Sequence, residues 1–261
     1  MWPIAAMAWR IGDLLAVEAQ LDWMSAHGFT GAAFHASAGV PGVWQGVEPT
    51  DCSSARREQL RATLRAFRFT ELHAPFRCVL GAADSESVVE ELVPTLDLAG
   101  DVEADVVTVH LAPPAVDHAV LSRAVKRLDE LAAERRLRIG LEAEHGFDLV
   151  RGWDLPRVGV TLDIGHLYAV AAGRHLAAFG SLSAVVQYLG PLLVHAHVHD
   201  VDAQSDHTTI GTGCVDFASF SEGLAAIGYA GGLTLELNPD RASPEAIAHS
   251  RRVLEAGWGA A

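Results

Sequence analysis

The sequence is poor in positive charge. Its 19 lysines and arginines stand against 33 acidic residues, for a formal net charge of -14, and Lys126 is the single lysine. A protein that grips a nucleic-acid backbone needs a clustered basic surface that releases counterions. The arginines here are spread along the chain. The composition therefore argues against nucleic acid as a partner.

Cysteine and long apolar runs are also scarce. The three cysteines, Cys52, Cys78 and Cys214, are odd in number and far apart, which argues against a disulfide framework or a thiolate zinc site. We expect a reducing, cytoplasmic environment. No basic region precedes a long apolar run and no apolar stretch reaches the length of a bilayer span, so we expect neither an export signal nor a membrane anchor.

Short β-rich runs alternate with longer helical patterns along the whole chain. About eight such alternations are what a (β/α)8 barrel requires, and the absence of a linker favours one α/β domain over 1–261. The runner-up is a doubly wound open sheet, which would not gather residues from so many strands at one point. The predicted strands are 4–9, 30–35, one ending at His73, 105–111, 138–144, 158–163, 192–200 and 233–237. The first predicted helix starts at Asp13, and others span 54–66, 86–98, 116–136 and 244–256, while 147–153 is predicted as a short helix or turn. A long loop over 37–51 is expected to cover a site.

The strands carry polar residues where a purely structural barrel has branched aliphatics. In several of them one face is apolar, while the other carries a threonine, such as Thr108, Thr161 or Thr234, followed by an acid or histidine nearer the strand's end. The apolar faces are expected to meet the helices. The opposite faces are then expected to point into the barrel and to its C-terminal rim, where sites of this architecture lie.

The stretch 193–200 is the most informative. His195, His197 and His199 share one face of a strand, and Asp200, Asp206 and His207 follow. A lone histidine is more often an ordinary core or surface residue, but three in register followed by these groups favour metal binding. Acids and histidines recur at the other strand ends too. The resulting ring of candidate ligands, at the predicted C-terminal rim, is His73, His110, Glu142, Asp163, His166, His197, His207 and Glu236.

Such a ring, without cysteine, favours a partly open catalytic site for zinc, manganese or cobalt, with one to three ions. Some roles stay open. Glu144 shares a face with Glu142, and Asp200 is a candidate hydrogen-bond partner for a ligating imidazole. Glu71 and His195 are either a buried pair or residues that orient ligands.

Several short motifs together resemble the xylose isomerase-like TIM-barrel superfamily, which includes sugar and sugar-phosphate isomerases and epimerases and also endonuclease IV. They cover nearly the whole chain in the expected order. The motifs are Leu-His-Ala-Pro at 72–75, Val-His-Leu at 109–111, Gly-Leu-Glu at 140–142, Leu-Asp-Ile-Gly-His at 162–166, His-Val-His-Asp at 197–200, Asp-His at 206–207 and Leu-Glu-Leu at 235–237.

This resemblance implies roles for the ring. Glu142, Asp163, His197 and Glu236 look like the common four-residue metal set, and His166 looks like a substrate-side or additional ligand. The extra ligands of multi-metal members would be His73, His110 and His207. One position departs from the nuclease pattern: Ser205 stands where Asp-x-His has its aspartate, which predicts a distorted or lost third metal site.

From the sequence we predict a metal-dependent isomerase or epimerase acting on a sugar, sugar phosphate or similar small hydroxy-ketone. Glu142 and Glu236 would exchange the proton, with His166 as a further catalytic residue. The first alternative is a multi-metal phosphoesterase, favoured by the extra histidines, and the second is a non-catalytic barrel. Substrate, metal identity and oligomeric state stay open, and a homo-oligomer is compatible with the sequence.

Overall fold

The computed structural model describes residues 1–81, 84–112, 118–143, 146–169 and 173–258. Its strands are β1 (Ile4–Ala6), β2 (Gly31–His35), β3 (Gly39–Val40), β4 (Trp44–Gln45), β5 (Phe69–His73), β6 (Val79–Leu80), β7 (Val106–Leu111), β8 (Arg138–Glu142), β9 (Val158–Asp163), β10 (Leu193–Val198) and β11 (Leu233–Leu235). Its α-helices are α1 (Val17–Ala26), α2 (Ser54–Leu64), α3 (Ser85–Asp101), α4 (His118–Arg135), α5 (Phe147–Trp153), α6 (Gly173–Phe179), α7 (Leu182–Leu189), α8 (Phe217–Ala226) and α9 (Pro244–Trp258).

Eight parallel strands form a nearly closed barrel, in the order β1, β11, β10, β9, β8, β7, β5, β2. The ends of this order meet where Met7, just after β1, bridges Ala33 of β2, and the Ala8 amide donates to the Ala33 carbonyl at 2.7 Å. The predicted (β/α)8 barrel is therefore confirmed, and the open sheet is wrong. Among the helices of the described residues, none is long and apolar enough to cross a membrane.

The first helix begins later than predicted. Ile11 and Leu14 bond to each other through both backbone amides, so this segment is a tight turn, and α1 starts at Val17 instead of Asp13. The loop over 37–51 contains the β3–β4 hairpin, and the two-residue strand β6 beside β7 was not predicted. The predicted strand end at Glu144 lies outside the described residues, as do Pro113 and Pro114, which follow the predicted strand 105–111 and forbid its continuation.

The two faces of the strands separate apolar from polar groups as the alternation predicts. Outward residues such as Val107 and Leu162 are fully buried in the main apolar cluster between strands and helices. The inward threonines Thr108, Thr161 and Thr234 are also fully buried. A column of polar side chains therefore fills the barrel axis, and it rises towards the C-terminal ends of the strands.

Candidate metal centre

The predicted ligands meet at the C-terminal ends of the strands. Within the described residues, acids and histidines form overlapping groups whose ligand atoms lie within 4.8 Å of one another. All eight residues of the sequence-predicted ring belong to at least one group. Three of the five groups are Glu142 with Asp163, His197 and Glu236; His73 with His110 and Glu142; and Asp163 with His166, His199 and His207. The other two are His73 with His197 and Glu236, and Glu71 with His195 and His197.

The first group, which we call the central set, comprises Glu142, Asp163, His197 and Glu236, all buried. Nδ1 of His197 lies 3.1 Å from Oε2 of Glu236 and 3.6 Å from Oε1 of Glu142. Glu142 is the last residue of β8 and Asp163 the last of β9. His197 is the second-last residue of β10, and Glu236 directly follows β11. Three carboxylates and one imidazole nitrogen are ligands that suit manganese, zinc or cobalt.

A buried carboxylate below the central set fixes the orientation of His197. Glu71 accepts hydrogen bonds from Nε2 of His197 at 2.7 Å and from Nε2 of His195 at 2.9 Å. The hydroxyls of Thr108 and Thr234 also donate to it, the first at 2.6 Å. With its Nε2 proton held by Glu71, a neutral His197 presents the bare lone pair of Nδ1 to the central set, as in the carboxylate–histidine–metal arrangement of many metalloenzymes. Glu71 and His195 thus form a buried pair, and Glu71 also contacts His197.

The second group shares Glu142 with the central set. Nδ1 of His73 donates to the Ala74 carbonyl at 2.7 Å, and in the ion-free protein its Nε2 donates to Oε2 of Glu142 at 3.2 Å. Nε2 of His110 lies 3.1 Å from the same oxygen. Each oxygen of Glu142 therefore faces a different group, an arrangement in which a carboxylate can bridge two ions.

The third group consists of Asp163, His166, His199 and His207, and the role of His199 was left open by the sequence. Nδ1 of His199 lies 2.8 Å from the His207 amide nitrogen and 3.2 Å from the Asp200 carbonyl, and its Nε2 lies 2.9 Å from Oδ1 of Asp163. His199 is therefore positioned to form an ion pair with Asp163 when its ring is protonated. Gly165 makes room for it, because a Cβ there would lie 2.0 Å from Cε1 of His199. His166 lies with its Nδ1 3.3 Å from Oδ2 of Asp163.

The electrostatics of the centre call for a cation. Burial raises the pKa of Glu236, but His197 outweighs it and lowers that pKa to about 2. The pKa of Glu142 is also held well below its ordinary value, by His197, His110 and His73 against the effect of burial. In turn, burial lowers the pKa of His197, and Glu71, Glu236 and Glu142 together raise it well above its ordinary value.

These carboxylates stay ionised only because positive charge lies between them, supplied here by protonated imidazoles. Their ion pairs within the described residues are to histidines, not to arginine or lysine. Nδ1 of His197 and Oδ2 of Asp163 are buried without a hydrogen bond to any described residue. A divalent ion at the central set would replace the protons and give these two atoms a partner, so the residues fit such an ion.

Two sequence predictions need correction or fall outside the structure. Asp200 is not the hydrogen-bond partner of an imidazole through its carboxylate, which instead accepts the amides of Val201, Gly211, Gly213 and Val215 and so holds the loop after β10. Glu144 lies outside the described residues. Asp206 follows Ser205, the residue that stands where the nuclease pattern has an aspartate. Oδ1 of Asp206 lies 3.1 Å from Nδ1 of His207.

A cleft of about 510 Å³ opens over the centre. Its acid and histidine lining includes Glu142, Glu236, His166, His110 and His207. Sequence reasoning missed the rest of its wall, although the loop over 37–51, expected to cover a site, does contribute Val43 and Trp44. The remaining wall residues are Trp9, Phe76, Asn238, Pro239 and Asp240.

Comparisons with known proteins agree with this architecture. A family model described as xylose isomerase-like TIM barrel matches residues 21–256. An uncharacterized protein of Methanocaldococcus jannaschii is 29% identical over 192 residues, which is 63% of this chain and 63% of that protein. The match therefore spans less than two thirds of that relative's length.

Three solved structures share the fold across nearly the whole chain. D-psicose 3-epimerase from Clostridium cellulolyticum, solved with D-tagatose, is 14% identical with a TM-score of 0.75 and 98% of both chains covered. L-ribulose 3-epimerase is 16% identical with a TM-score of 0.76, covering 100% of this chain and 95% of the other. The apo form of 3-keto-D-glucoside 4-epimerase from E. coli is 15% identical with a TM-score of 0.74, covering 98% and 100%. At such identities the likeness concerns the fold alone.

Proposed function

The chain belongs to the xylose isomerase-like TIM barrel family, and from this premise we propose that it is a divalent-metal-dependent isomerase or epimerase of a small, unphosphorylated sugar or similar hydroxy-ketone. Three structurally similar proteins are named as epimerases of psicose, ribulose and a 3-keto-glucoside. The observation that carries the proposal is the pairing of two buried, ionised carboxylates, Glu142 and Glu236, at the floor of one cleft.

The lining of the cleft favours a neutral substrate. Neither lysine nor arginine occurs among the lining residues of the cleft in the part of the chain whose side chains the structure describes. A phosphate dianion is normally held by such cations or by a helix N-terminus. The rings of Trp9, Trp44 and Phe76 offer an apolar wall on which the C–H face of a sugar can pack.

The carboxylates are suited to moving a proton. Their lowered pKa values keep Glu142 and Glu236 ionised at neutral pH, so either can accept a proton from carbon and return it. An ion held by Glu142, Asp163, His197 and Glu236 would supply polarisation of the substrate's carbonyl and hydroxyl oxygens. His166 lies on the same cleft, where its ring can bond a substrate hydroxyl and orient the sugar.

A multi-metal phosphoesterase is the second candidate, and one observation favours it. His73 and His110 form a second ligand group around Oε2 of Glu142, which a single-ion isomerase does not require. The described lining of the cleft, which contains neither arginine nor lysine, weighs against it. A barrel without turnover is the third alternative.

The test is to incubate the purified protein, after elemental analysis of its bound metal, with a panel of ketoses and aldoses in D2O. Proton transfer through a carboxylate predicts deuterium at the carbon whose configuration or oxidation level changes, and Glu236→Gln is the matched control because it removes the base at constant volume. The phosphodiester bis(p-nitrophenyl) phosphate is assayed in parallel. Hydrolysis of the diester without turnover of any sugar would contradict the isomerase proposal and favour the phosphoesterase. Inactivity of the metal-loaded protein on both kinds of substrate would favour the barrel without turnover.

A further inference from the structure

A second cavity lies at the opposite end of the barrel, where the strands begin. Its volume is about 1020 Å³, twice that of the active-site cleft. Residues from the N-terminal ends of β5, β7, β8 and β10 line it, so the length of the barrel separates it from the candidate metal centre. We call it the lower cavity. Five of the chain's 19 basic residues line it, namely Arg68, Arg135, Arg136, Arg138 and Arg157.

Most of this positive charge is unneutralised. Arg135 pairs with Asp97 and Glu134 at the surface. The other four lining arginines make no ion pair within the described residues. Of the acidic lining residues, Glu103 is shared by Arg65 and Arg61, at 3.3 Å and 3.9 Å. Asp105 is engaged by the Thr70 amide at 2.7 Å, and burial raises its pKa. The chain as a whole has a net charge of -14, but these guanidinium groups make the surface around the lower cavity locally positive.

The backbone is strained where it supplies one of these arginines. Arg136 has φ 61° and follows α4 in a left-handed conformation, where its amide donates to Ala133 and the next amide donates to Ala132. Glycine is the usual residue at this point of the motif, because any Cβ is strained there. Glu103 occupies the equivalent point after α3, also with φ 61°. Two charged residues thus stand at the lower cavity in positions that favour glycine.

The inner wall of the lower cavity is apolar. Phe69, Val106 and Val194 form a small buried cluster of their own, and all three line the cavity. The Tyr229 hydroxyl donates to the Gly232 carbonyl at 2.8 Å, so it is already engaged. Arg68, Arg136 and Arg138 are exposed and Arg157 is half-buried, so an anion would be attracted by several guanidinium groups around one concave surface.

We propose that the lower cavity binds a small anion with phosphoryl or carboxyl groups, held by Arg68, Arg136, Arg138 and Arg157. Guanidinium recognises both kinds of oxyanion through paired N–H donors. The site is independent of the proposed function, because it involves none of the cleft residues.

The test is calorimetric titration of the purified protein with inorganic phosphate and, separately, with succinate, which distinguish phosphoryl from carboxyl recognition. We expect saturable binding of at least one of them. Arg136→Gly should weaken it about tenfold or more, since a charge-assisted contact is lost, while Tm stays the same or rises because the left-handed strain is relieved. Arg138→Ala should weaken binding similarly.

Two controls make the result specific. Glu103→Gly relieves the same backbone strain but removes a negative charge, so it should strengthen anion binding. Arg252→Ala removes an exposed arginine of α9 that does not line the cavity and should leave affinity unchanged. The proposal is overturned if neither phosphate nor succinate binds. Binding that survives Arg136→Gly and Arg138→Ala but is lost in Glu236→Gln also overturns it, since the anion would then sit at the metal centre.

Discussion

Oε1 of Glu71 lies 2.7 Å from Nε2 of His197, on the side of the imidazole away from the central set. Burial would raise the pKa of Glu71, but His195 and His197 hold it well below its ordinary value, so the carboxylate is ionised. One charged group at the barrel axis thus fixes which nitrogen of His197 faces the candidate metal.

From this relationship we predict that Glu71→Gln lowers the affinity of the apoprotein for Zn²⁺ or Co²⁺ roughly 10- to 100-fold. The amide removes the negative charge and turns a donor towards groups that are themselves donors. Competition titration against a chromophoric chelator measures the affinity. Thr234→Val is the matched control, because it removes one hydrogen bond to Glu71 and keeps the charge. Equal affinity in Glu71→Gln and the native protein, with unchanged circular dichroism, would show that Glu71 does not position His197.

The sequence predicted the barrel and the ring of ligands because both follow from local periodicity. Alternation within a strand decides which side chains point inward, and the strand's end decides which reach the rim. That reasoning left open whether Glu71 and His195 form a buried pair or orient ligands. Strands β5 and β10 are not neighbours in the sheet, so their side chains meet only across the barrel axis, at a depth that strand tilt sets.

Asp200 shows the other limit. Its place after three histidines suggested that it supports an imidazole, but its carboxylate instead gathers four amides of the loop that follows β10. Backbone donors that come together through loop folding leave no periodic signal. For the same reason Trp9 and Phe76 could not be assigned to the cleft, since each lies in or beside an irregular segment.

Gly165 provides a stability prediction. A Cβ at this position would lie 2.0 Å from Cε1 of His199 and 2.3 Å from its Nδ1, and the ring is buried. We expect Gly165→Ala to lower the free energy of unfolding by about 1–3 kcal/mol, as overpacking does in a dense interior. Gly152→Ala, in α5 with no heavy atom within 4 Å of the added Cβ, should be neutral or stabilising. Urea unfolding measures both, and equal stability of the two variants would contradict the tight packing at Gly165.

A third prediction separates the two candidate chemistries. If proton transfer between carboxylates is the mechanism, Glu236→Gln abolishes turnover, while His73→Ala and His110→Ala leave measurable activity because these imidazoles lie outside the central set. In a multi-metal phosphoesterase, losing either histidine should be about as damaging as losing the glutamate. The measurement is kcat/KM of each variant, with the exposed His249→Ala as the control. Comparable large losses in His73→Ala, His110→Ala and Glu236→Gln would overturn the isomerase proposal.

The last prediction concerns protons displaced by the metal. In the ion-free protein the pKa of His197 is well above its ordinary value, and Asp163 raises the pKa of His199 to about 9 against the effect of burial. Both rings are then protonated at pH 7. Because a ligating imidazole must be neutral, Zn²⁺ binding at pH 7 should release protons, and the carboxylates contribute none because they are already ionised.

The release should fall as pH rises through the raised pKa values, since the rings then lose their protons before the ion arrives. Calorimetric titration in buffers of different ionisation enthalpy gives the proton count at each pH. His199→Gln should reduce the count at pH 7 if the ion neutralises Asp163 and so frees the His199 proton. A Zn²⁺ binding enthalpy that is the same in all buffers at pH 7 would mean that the ion meets neutral histidines, and that the carboxylates of the centre are not held ionised by imidazolium.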